Sequence, residues 1–288
     1  MRAELPPTIT ALDQISGRYD GYLIDQWGVL HNGVETYPEA LAALQALKAA
    51  GKRVIILSNS GRTGAQNAQA MAKMGISSSL YDQVLTAGDD AFDALGTPRD
   101  PAYQTLGRKA LVLARPGDGA RVEALGLERV EDVAEADFLF VLSMSELPQI
   151  PEDWLALLPK AKARNLPLIC ANPDLLRVQG EGEVLVGPGA VAEAYIALGG
   201  VSHYHGKPHP RIYRSALRLL QTTPERCLAI GDSLIHDVKG ARSAGIDSLF
   251  VINGVHREKI DPADPDSLAA ELTVHHPNRP NWIIERLR

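Results

Sequence analysis

Cysteine is scarce in this chain of 288 residues, where Cys170 and Cys227 are the two examples. Each lies in an apolar run typical of a buried strand, so we interpret both as core thiols. Such a low count excludes a disulfide-rich secreted scaffold. No apolar run approaches the roughly 20 residues that span a bilayer, and the N-terminal segment lacks the basic-then-apolar pattern of a secretory signal. We therefore expect a cytoplasmic protein without a membrane partner.

Positive charge is also in short supply. The chain has 29 lysines and arginines against 35 aspartates and glutamates, which gives a formal net charge of −6. A nucleic-acid surface needs a stripe of basic residues, so we expect no nucleic-acid partner. The length exceeds that of a usual single domain, and two domains are expected.

Strand and helix signals alternate near both ends of the chain. Apolar runs predict strands around Leu23 and over residues 53–57, 227–230 and 248–251. Helical spacing predicts helices over residues 37–50, 66–75, 190–198, 212–221 and 238–244. This order is typical of an α/β fold with a parallel sheet and right-handed crossovers.

A middle segment has strands and helices of its own. Strands are predicted over residues 110–114, 138–143, 168–171 and 184–186, and helices over residues 118–125 and 152–164. We interpret this segment as a smaller α/β domain inserted into the first. The predicted boundaries give residues 1–86 and 187–288 to a core and residues 87–186 to the insertion.

Acidic residues follow two of the apolar strands. The strand at Leu23 leads into Asp25, and the strand at residues 227–230 leads into Asp232, with Asp237 one turn later. A buried carboxylate costs several kcal/mol unless a cation or strong donors meet it. Because the carboxyl ends of parallel strands share one edge of a sheet, the pattern predicts a divalent-metal site there.

Hydroxyl, amide and ammonium groups follow other strands and loops. The strand at residues 53–57 ends in Ser58, Asn59 and Ser60, whose side chains and backbone N–H groups suit a phosphate. Lys207 lies in a loop flanked by glycine and proline. Together with the carboxylates, these groups suit phosphoryl transfer with Mg²⁺. Taken singly, each has a plainer explanation as a turn, a helix cap or a solvated residue.

The motifs that carry these residues resemble those of a known superfamily. The segments IDQWGVLHNG, ILSNSGR, HGKPHPRIY and IGDSLIHDVKGARSAGI follow the order of the four haloacid dehalogenase (HAD) motifs. They are most similar to the class IIA branch, the NagD-like and p-nitrophenyl-phosphatase-like proteins. The resemblance implies a Rossmann-like HAD core with an inserted C2-type cap, a magnesium ion, and hydrolysis of a small phosphorylated metabolite. Family analogy leaves a homodimer open.

The resemblance also implies roles for single residues. Asp25 becomes the nucleophile and a metal ligand, and Lys207 neutralises charge. Asp232 becomes a metal ligand, and Asp237 helps to hold the metal or its waters. Ser58 binds the phosphate. Asn59, Ser60 and Lys207 are the further substrate-binding candidates. Trp27 becomes a metal ligand through its backbone carbonyl.

Trp27 is also a departure from the family pattern. HAD phosphatases usually carry a second aspartate at this position, which protonates the leaving oxygen and then activates water. An indole N–H has essentially no acidity. Since general acid–base catalysis typically contributes roughly 10²–10⁴-fold, the sequence predicts a slow phosphatase or an atypical acid. His31, Glu35 and His209 are the candidate replacements.

Two other classes of function remain open in the sequence. Trp27 favours a catalytically weak protein that binds a phosphorylated ligand and senses it. The segment GPGAVA at residues 187–192 matches a dinucleotide fingerprint but lacks the acidic partner, so we interpret it as a tight turn returning from cap to core. A zinc site at His203, His205 and His209 is disfavoured because no cysteine or helical spacing supports it.

Overall fold

The computed structural model describes residues 5–97, 101–145, 147–179, 183–254, 260–261, 264–274 and 278–288. The strands are β1 Gly21–Ile24, β2 Arg53–Ser58, β3 Gln83–Thr86, β4 Lys109–Leu113, β5 Glu128–Val130, β6 Phe138–Val141, β7 Leu168–Cys170, β8 Leu176–Gln179, β9 Glu183–Val186, β10 Ser202–Tyr204, β11 Cys227–Gly231, β12 Asp247–Val251 and β13 Trp282–Ile284. The α-helices are α1 Asp13–Ser16, α2 Pro38–Ala49, α3 Gly64–Lys73, α4 Ala87–Gly96, α5 Pro101–Gln104, α6 Arg121–Ala124, α7 Glu152–Ala163, α8 Gly189–Ala197, α9 Pro210–Leu220, α10 Lys239–Ser243 and α11 Pro265–Val274. Among the residues in these ranges, no helix has the length and apolarity to cross a membrane.

The chain divides into two compact units. The first unit comprises Met1–Ser58, Ala65–Leu85 and Lys207–Arg288. The second unit comprises Asn59–Gly64 and Thr86–Gly206. The chain therefore crosses between the units four times.

The first unit is built on a six-stranded sheet in the order β13-β12-β11-β1-β2-β3. Strand β1 pairs in parallel with β11 on one side and with β2 on the other. All four residues of β1 are buried, as expected for a central parallel strand covered on both faces. The carboxyl ends of β11, β1 and β2 consequently lie side by side at one edge of the sheet.

Helices α2 and α9 pack against this sheet through apolar faces. Helix α2 begins at Pro38, whose fixed φ suits the first helical turn, and buries Ala40, Leu44 and Leu47. These side chains join the same core cluster as Tyr22 of β1. Helix α9 contributes its buried face to the cluster that contains Leu23 and Ile55. The predicted parallel α/β core is thus confirmed.

The second unit has a five-stranded sheet in the order β10-β7-β6-β4-β5 and a separate antiparallel pair, β8-β9. The four pairings within the larger sheet are all parallel. This is the smaller α/β domain that the sequence predicts. Strands β5 and β10 were not expected, because each has three residues and neither shows an apolar alternation.

The return from the second unit to the first differs from the predicted boundary at residue 187. Strand β10 pairs with β7, and α8 buries Val191 and Tyr195 in the cluster that contains Leu168. The Tyr195 hydroxyl also donates a hydrogen bond to the Leu166 carbonyl at 2.6 Å. The second unit therefore continues to Gly206. Residues 187–188 do form a turn, but the chain does not return to the first unit there, because Gly189 begins α8, which packs inside the second unit.

The glycines of the GPGAVA segment have a packing explanation. A Cβ at Gly187 would lie 2.0 Å from the Asp174 carbonyl oxygen, and one at Gly189 would lie 2.3 Å from that of Pro173. The Gly189 N–H donates to the Asp174 carbonyl at 3.0 Å. Close approach of two backbone segments accounts for both glycines, and a dinucleotide is not needed to explain them.

A buried polar network joins three residues of the second unit. His205 Nδ1 lies 2.7 Å from Asp90 Oδ2, and His205 Nε2 lies 2.6 Å from the Tyr103 hydroxyl. The three side chains are buried among apolar neighbours, where unpaired polar groups are costly. Because hydrogen bonds occupy both ring nitrogens of His205, this residue is not placed to ligate zinc.

Loss of the Tyr103 hydroxyl should destabilise the fold measurably. Tyr103→Phe leaves His205 Nε2 buried without this partner, which should lower the free energy of unfolding by about 1–3 kcal/mol. The matched control is Tyr204→Phe, which removes a hydroxyl that hydrogen-bonds Glu193 at the surface at 2.6 Å. Urea unfolding of the full chain measures both. Equal losses for the two variants would contradict a special role for the buried network.

Candidate active site

Asp25 and Asp232 lie at the carboxyl ends of adjacent strands. Asp25 follows β1, and its N–H donates to the Ile230 carbonyl of β11 at 2.9 Å. The Gln26 N–H donates to Asp25 Oδ1 at 2.9 Å. Asp232 follows β11 directly and is buried. The structure therefore brings together two carboxylates that lie more than two-thirds of the chain apart.

Two glycines allow the backbone to approach Asp232. A Cβ at Gly28 would lie 1.9 Å from Asp232 Oδ2, and one at Gly254 would lie 2.0 Å from the same atom. Gly28 also has a φ of +74°, which other residues adopt only with strain. Any side chain at either position would displace the Asp232 carboxylate, which explains the glycine after Asp25 better than a simple turn does.

Asp237 lies on a single π-helical turn, Leu234–Val238, a form of helix that is frequent at functional sites. Its Oδ2 accepts a hydrogen bond from the Ser233 N–H at 3.1 Å, and its Oδ1 accepts one from Lys207 at 2.8 Å. The absence of a side chain at Gly231 makes room, since a Cβ there would lie 2.1 Å from Asp237 Cγ. These contacts fix the carboxylate toward Lys207.

Lys207 is buried between two carboxylates. Its Nζ lies 2.7 Å from Asp25 Oδ1 and 2.8 Å from Asp237 Oδ1, and 3% of its side chain is exposed. Burial alone would lower the pKa of Lys207, but the charges of Asp237 and Asp25 outweigh burial and raise this pKa well above its usual value. The ammonium therefore stays charged at neutral pH.

The carboxyl group of Asp25 has a shifted pKa of its own. Burial raises the pKa of Asp25 to about 7, and the charge of Asp237 adds to the shift while Lys207 and the Gln26 N–H oppose it. A further positive charge nearby would lower this pKa and favour the ionised carboxylate at neutral pH.

The three carboxylates form a cluster that suits a divalent cation. Asp25, Asp232 and Asp237 each offer an oxygen within 4.8 Å of the others. Mg²⁺ prefers oxygen ligands and keeps several waters, so a few carboxylates suffice for it. The cluster also lies at the sheet edge where open α/β folds bind ligands. The donor set therefore fits the predicted magnesium ion.

Ser58 lies at the same sheet edge, whereas Asn59 and Ser60 belong to the second unit. Ser58 ends β2, whose Ile56 is in register with Ile24 of β1, and it is buried. In the second unit, Asn59 Nδ2 donates to Asp174 Oδ1 at 2.8 Å, and the Ser60 carbonyl accepts from the Gly88 N–H at 3.0 Å. These contacts hold the loop, and the role of the three residues in binding phosphate stays a prediction.

Trp27 lies in the loop after β1, with 36% of its surface exposed. Its ring meets the His31 ring at 69°, with the centroids 5.9 Å apart. A Cβ at Gly33 would lie 2.3 Å from Trp27 Cζ2, so the glycine leaves room for the indole. The Gly28 N–H donates to the His31 carbonyl at 2.9 Å and closes this loop. The neighbours thus hold the indole two residues beyond Asp25.

The other candidate acids are in different surroundings. His31 is buried, and its Nδ1 accepts a hydrogen bond from the Gly33 N–H at 3.0 Å. Glu35 is exposed in the same loop, and His209 precedes the first turn of α9. A role for any of them as the acid stays a prediction.

Sequence reasoning missed several polar residues that surround these groups. Gln26 and Asn67 are buried, and Gln26 Nε2 donates to Asn67 Oδ1 at 3.1 Å. The Tyr213 hydroxyl donates to the His236 carbonyl at 3.3 Å and supports the π-helical turn. Gln26 offered a signal, because it follows a buried strand next to Asp25. Asn67 lies in a helix, and nothing in its spacing marks it. Tyr213 ends the HGKPHPRIY motif, but that motif assigned it no role.

Comparisons with known families cover most of the chain. A family model described as haloacid dehalogenase-like hydrolase matches residues 22–128, and a second model of the same description matches residues 102–245. A HAD-hydrolase-like model matches residues 204–287. The second of these models alone spans half of the chain.

Several curated proteins are similar in sequence. A Thermus thermophilus protein named phosphoserine phosphatase is 36% identical over 204 residues, which is 67% of this chain and 76% of that protein. The Bacillus subtilis 5'-nucleotidase YutF is 28% identical and covers 84% of this chain and 90% of its own length. Human chronophin is 27% identical, with 86% of each chain covered.

Solved structures share the fold. A haloacid dehalogenase-like hydrolase from Brucella suis is 32% identical, with a TM-score of 0.82 over 97% of this chain and 100% of that one. A glycerol phosphate phosphatase from Mycobacterium tuberculosis, solved in complex with magnesium, is 22% identical, with a TM-score of 0.73 over 94% of this chain and 76% of that one. The resemblance carried by the four motifs is confirmed: the chain belongs to the haloacid dehalogenase superfamily of hydrolases, in its class IIA branch.

Proposed function

We propose that this chain is a magnesium-dependent phosphatase of a small phosphorylated metabolite and that it acts through an aspartyl phosphate on Asp25. The observation that carries the proposal is the buried ion-pair network of Asp25, Lys207 and Asp237. Relatives named for a nucleotide and for phosphoserine support a small phosphorylated substrate. Membership of the hydrolase family supports the reaction type.

Asp25 supplies the nucleophile of the first step. A carboxylate oxygen of Asp25 attacks phosphorus, and the bond from phosphorus to the leaving oxygen breaks. Lys207 lies 2.7 Å from Asp25 Oδ1, so its charge acts where negative charge builds up on the phosphoryl oxygens. Water then cleaves the phosphoaspartate and regenerates the carboxylate.

The carboxylate cluster would hold the metal ion. Asp25 and Asp232 are the proposed direct ligands. Asp237 adds charge and orients Lys207, since both of its oxygens already accept hydrogen bonds. The Trp27 carbonyl joins the ligands only by family analogy. A bound divalent cation neutralises the phosphoryl oxygens. Ser58 at the same edge, together with Asn59 and Ser60, is proposed to bind the phosphate.

His31 does not suit the role of general acid. Burial lowers the pKa of His31 to about 4, so the ring is neutral at neutral pH. Its Nδ1 accepts the Gly33 N–H, which leaves the single proton of the neutral ring on Nε2. A neutral imidazole is a very weak acid, and we therefore infer a structural role for His31 beneath Trp27.

A second candidate function is a sensor that binds a phosphorylated ligand with little turnover. Trp27 favours it, because the described loop offers no carboxylate at this position. The retained Lys207 network speaks against it, since a binder needs no buried nucleophile. Ligand-induced thermal stabilisation without phosphate release would support the sensor.

Replacement of Asp25 should abolish turnover. Phosphate release from a panel of phosphorylated metabolites, with and without Mg²⁺, is the measurement. The wild type should release phosphate only with Mg²⁺, and Asp25→Asn should fall to background because it lacks the nucleophile. Asp20→Asn is the matched control, since Asp20 pairs with Arg226 at the surface. Equal activity in Asp25→Asn and the wild type would refute the proposed nucleophile.

His31 should make the fold sensitive to acid. Below pH 6.5, the usual pKa of histidine, the unfolded chain binds a proton at His31, whereas the folded protein does so only near pH 4. Stability present above pH 6.5 is therefore lost as the pH falls towards 4. Between pH 7 and 5, His31→Gln should lose about 2 kcal/mol less than the wild type in urea unfolding. Parallel losses in the two proteins would show that His31 titrates normally.

A further inference from the structure

We propose that this site acts on phosphoryl groups whose leaving group departs as a stable anion, namely acyl, enol or aryl phosphates. Alkyl phosphates, the class to which the nucleotide and the phosphoserine of the named relatives belong, should react poorly at this site. The inference rests on the proposed function and names its substrate class. It comes from the groups that the first unit places around Asp25 and from the surface that Trp27 presents.

The polar side chains around Asp25 already have other hydrogen-bonding or metal-binding roles. Lys207 donates to Asp25 and Asp237, and its charge is needed where negative charge develops. Both oxygens of Asp237 accept hydrogen bonds, and Asp232 belongs to the carboxylate cluster. Among the described residues of the first unit, no further carboxyl group joins this cluster. None of these groups can protonate a leaving oxygen and keep its own role.

Trp27 places an aromatic surface two residues beyond the nucleophile. His31 and Gly33 hold the indole on one side, while 36% of its surface remains exposed. The indole N–H does not act as an acid at any working pH. An aromatic face packs well against a planar group, and acyl, enol and aryl groups are planar at the carbon atom that bears the leaving oxygen. Trp27 therefore cannot act as a general acid, and its ring favours a leaving group that needs no protonation.

The first chemical step balances without a proton. A bond forms between an Asp25 oxygen and phosphorus, and the bond between phosphorus and the leaving oxygen breaks. The electron pair stays on that oxygen, which departs as a carboxylate, an enolate or a phenolate. An alkyl phosphate would have to expel an alkoxide, which is a far more basic anion and normally needs a general acid.

The second step is common to all substrates. Water attacks phosphorus, the bond to the Asp25 oxygen breaks, and its electron pair restores the carboxylate. The water protons end on the inorganic phosphate and in the solvent. Discrimination between leaving groups should therefore show in kcat/KM, which reports the first step, and not in dephosphorylation.

The test is a leaving-group series on the full chain with Mg²⁺. The substrates are the p-nitrophenyl, p-chlorophenyl and phenyl phosphates, acetyl phosphate, and benzyl phosphate as an alkyl phosphate with the same ring. We expect kcat/KM to fall along the aryl series and to be roughly 10²-fold or more lower for benzyl than for phenyl phosphate, the scale of missing acid catalysis. Acetyl phosphate should rank with the aryl substrates.

Two variants of Trp27 separate the acid from the aromatic surface. Trp27→Asp should raise kcat/KM for benzyl phosphate by roughly 10²–10⁴-fold, because it restores a general acid. It should not raise kcat/KM for p-nitrophenyl phosphate, whose leaving group needs no proton and which loses the indole surface. Trp27→Phe keeps an aromatic ring without an N–H and should keep the steep dependence of the wild type. If Trp27→Asp does not fold, the leaving-group series on the wild type and on Trp27→Phe still tests the proposed substrate class.

Two outcomes would overturn the inference, and they are distinguishable. If wild-type kcat/KM for benzyl and p-nitrophenyl phosphate is nearly equal, another group protonates the leaving oxygen. The substrate class is then wrong, although the phosphatase stands. If no substrate of the series or of the metabolite panel releases phosphate, the proposed function itself fails, and this inference fails with it.

Discussion

The buried ammonium of Lys207 is the constraint on which the site depends. A charged amine is almost never found inside a protein unless it is paired, and here Asp25 and Asp237 lie within 2.8 Å of it. The pairing offsets the cost of burying all three groups. It also keeps the lysine charged and opposes the rise in the pKa of Asp25 that burial causes. A change to one of these three side chains would therefore alter the charge, the protonation and the position of the other two.

The backbone around this network is shaped to let the charges meet. Gly231 leaves the space that the Asp237 side chain occupies, and Gly28 and Gly254 do the same for Asp232. The parallel register of β1, β2 and β11 aligns the ends from which these residues emerge. The buried apolar strands stabilise the sheet of the first unit. The glycines leave space for the polar side chains at one edge of that sheet.

The loop after β1 gives the site its individual character. It carries Asp25, the proposed nucleophile, and has Trp27 where the family pattern usually has an acid. The indole of Trp27 packs against His31, and Gly33 leaves room for it. His31 is buried in its neutral form and so adds no charge under the ring. Family membership thus shows the fold and the hydrolase class, whereas we propose that this loop selects the leaving group.

The sequence by itself determined the elements with strong local signals. The apolar runs made the buried strands before Asp25 and Asp232 predictable. The two carboxylates indicated a site, because burying a carboxylate costs free energy unless a cation or a donor meets it. The sequence did not determine that Asp237 pairs with Lys207, or that the second unit runs to Gly206, since a helix and a strand after residue 187 suit either domain. These features depend on pairing between distant segments, and periodicity and composition contain no distances. Only the tertiary structure, which brings the ends of separate strands together, decided them.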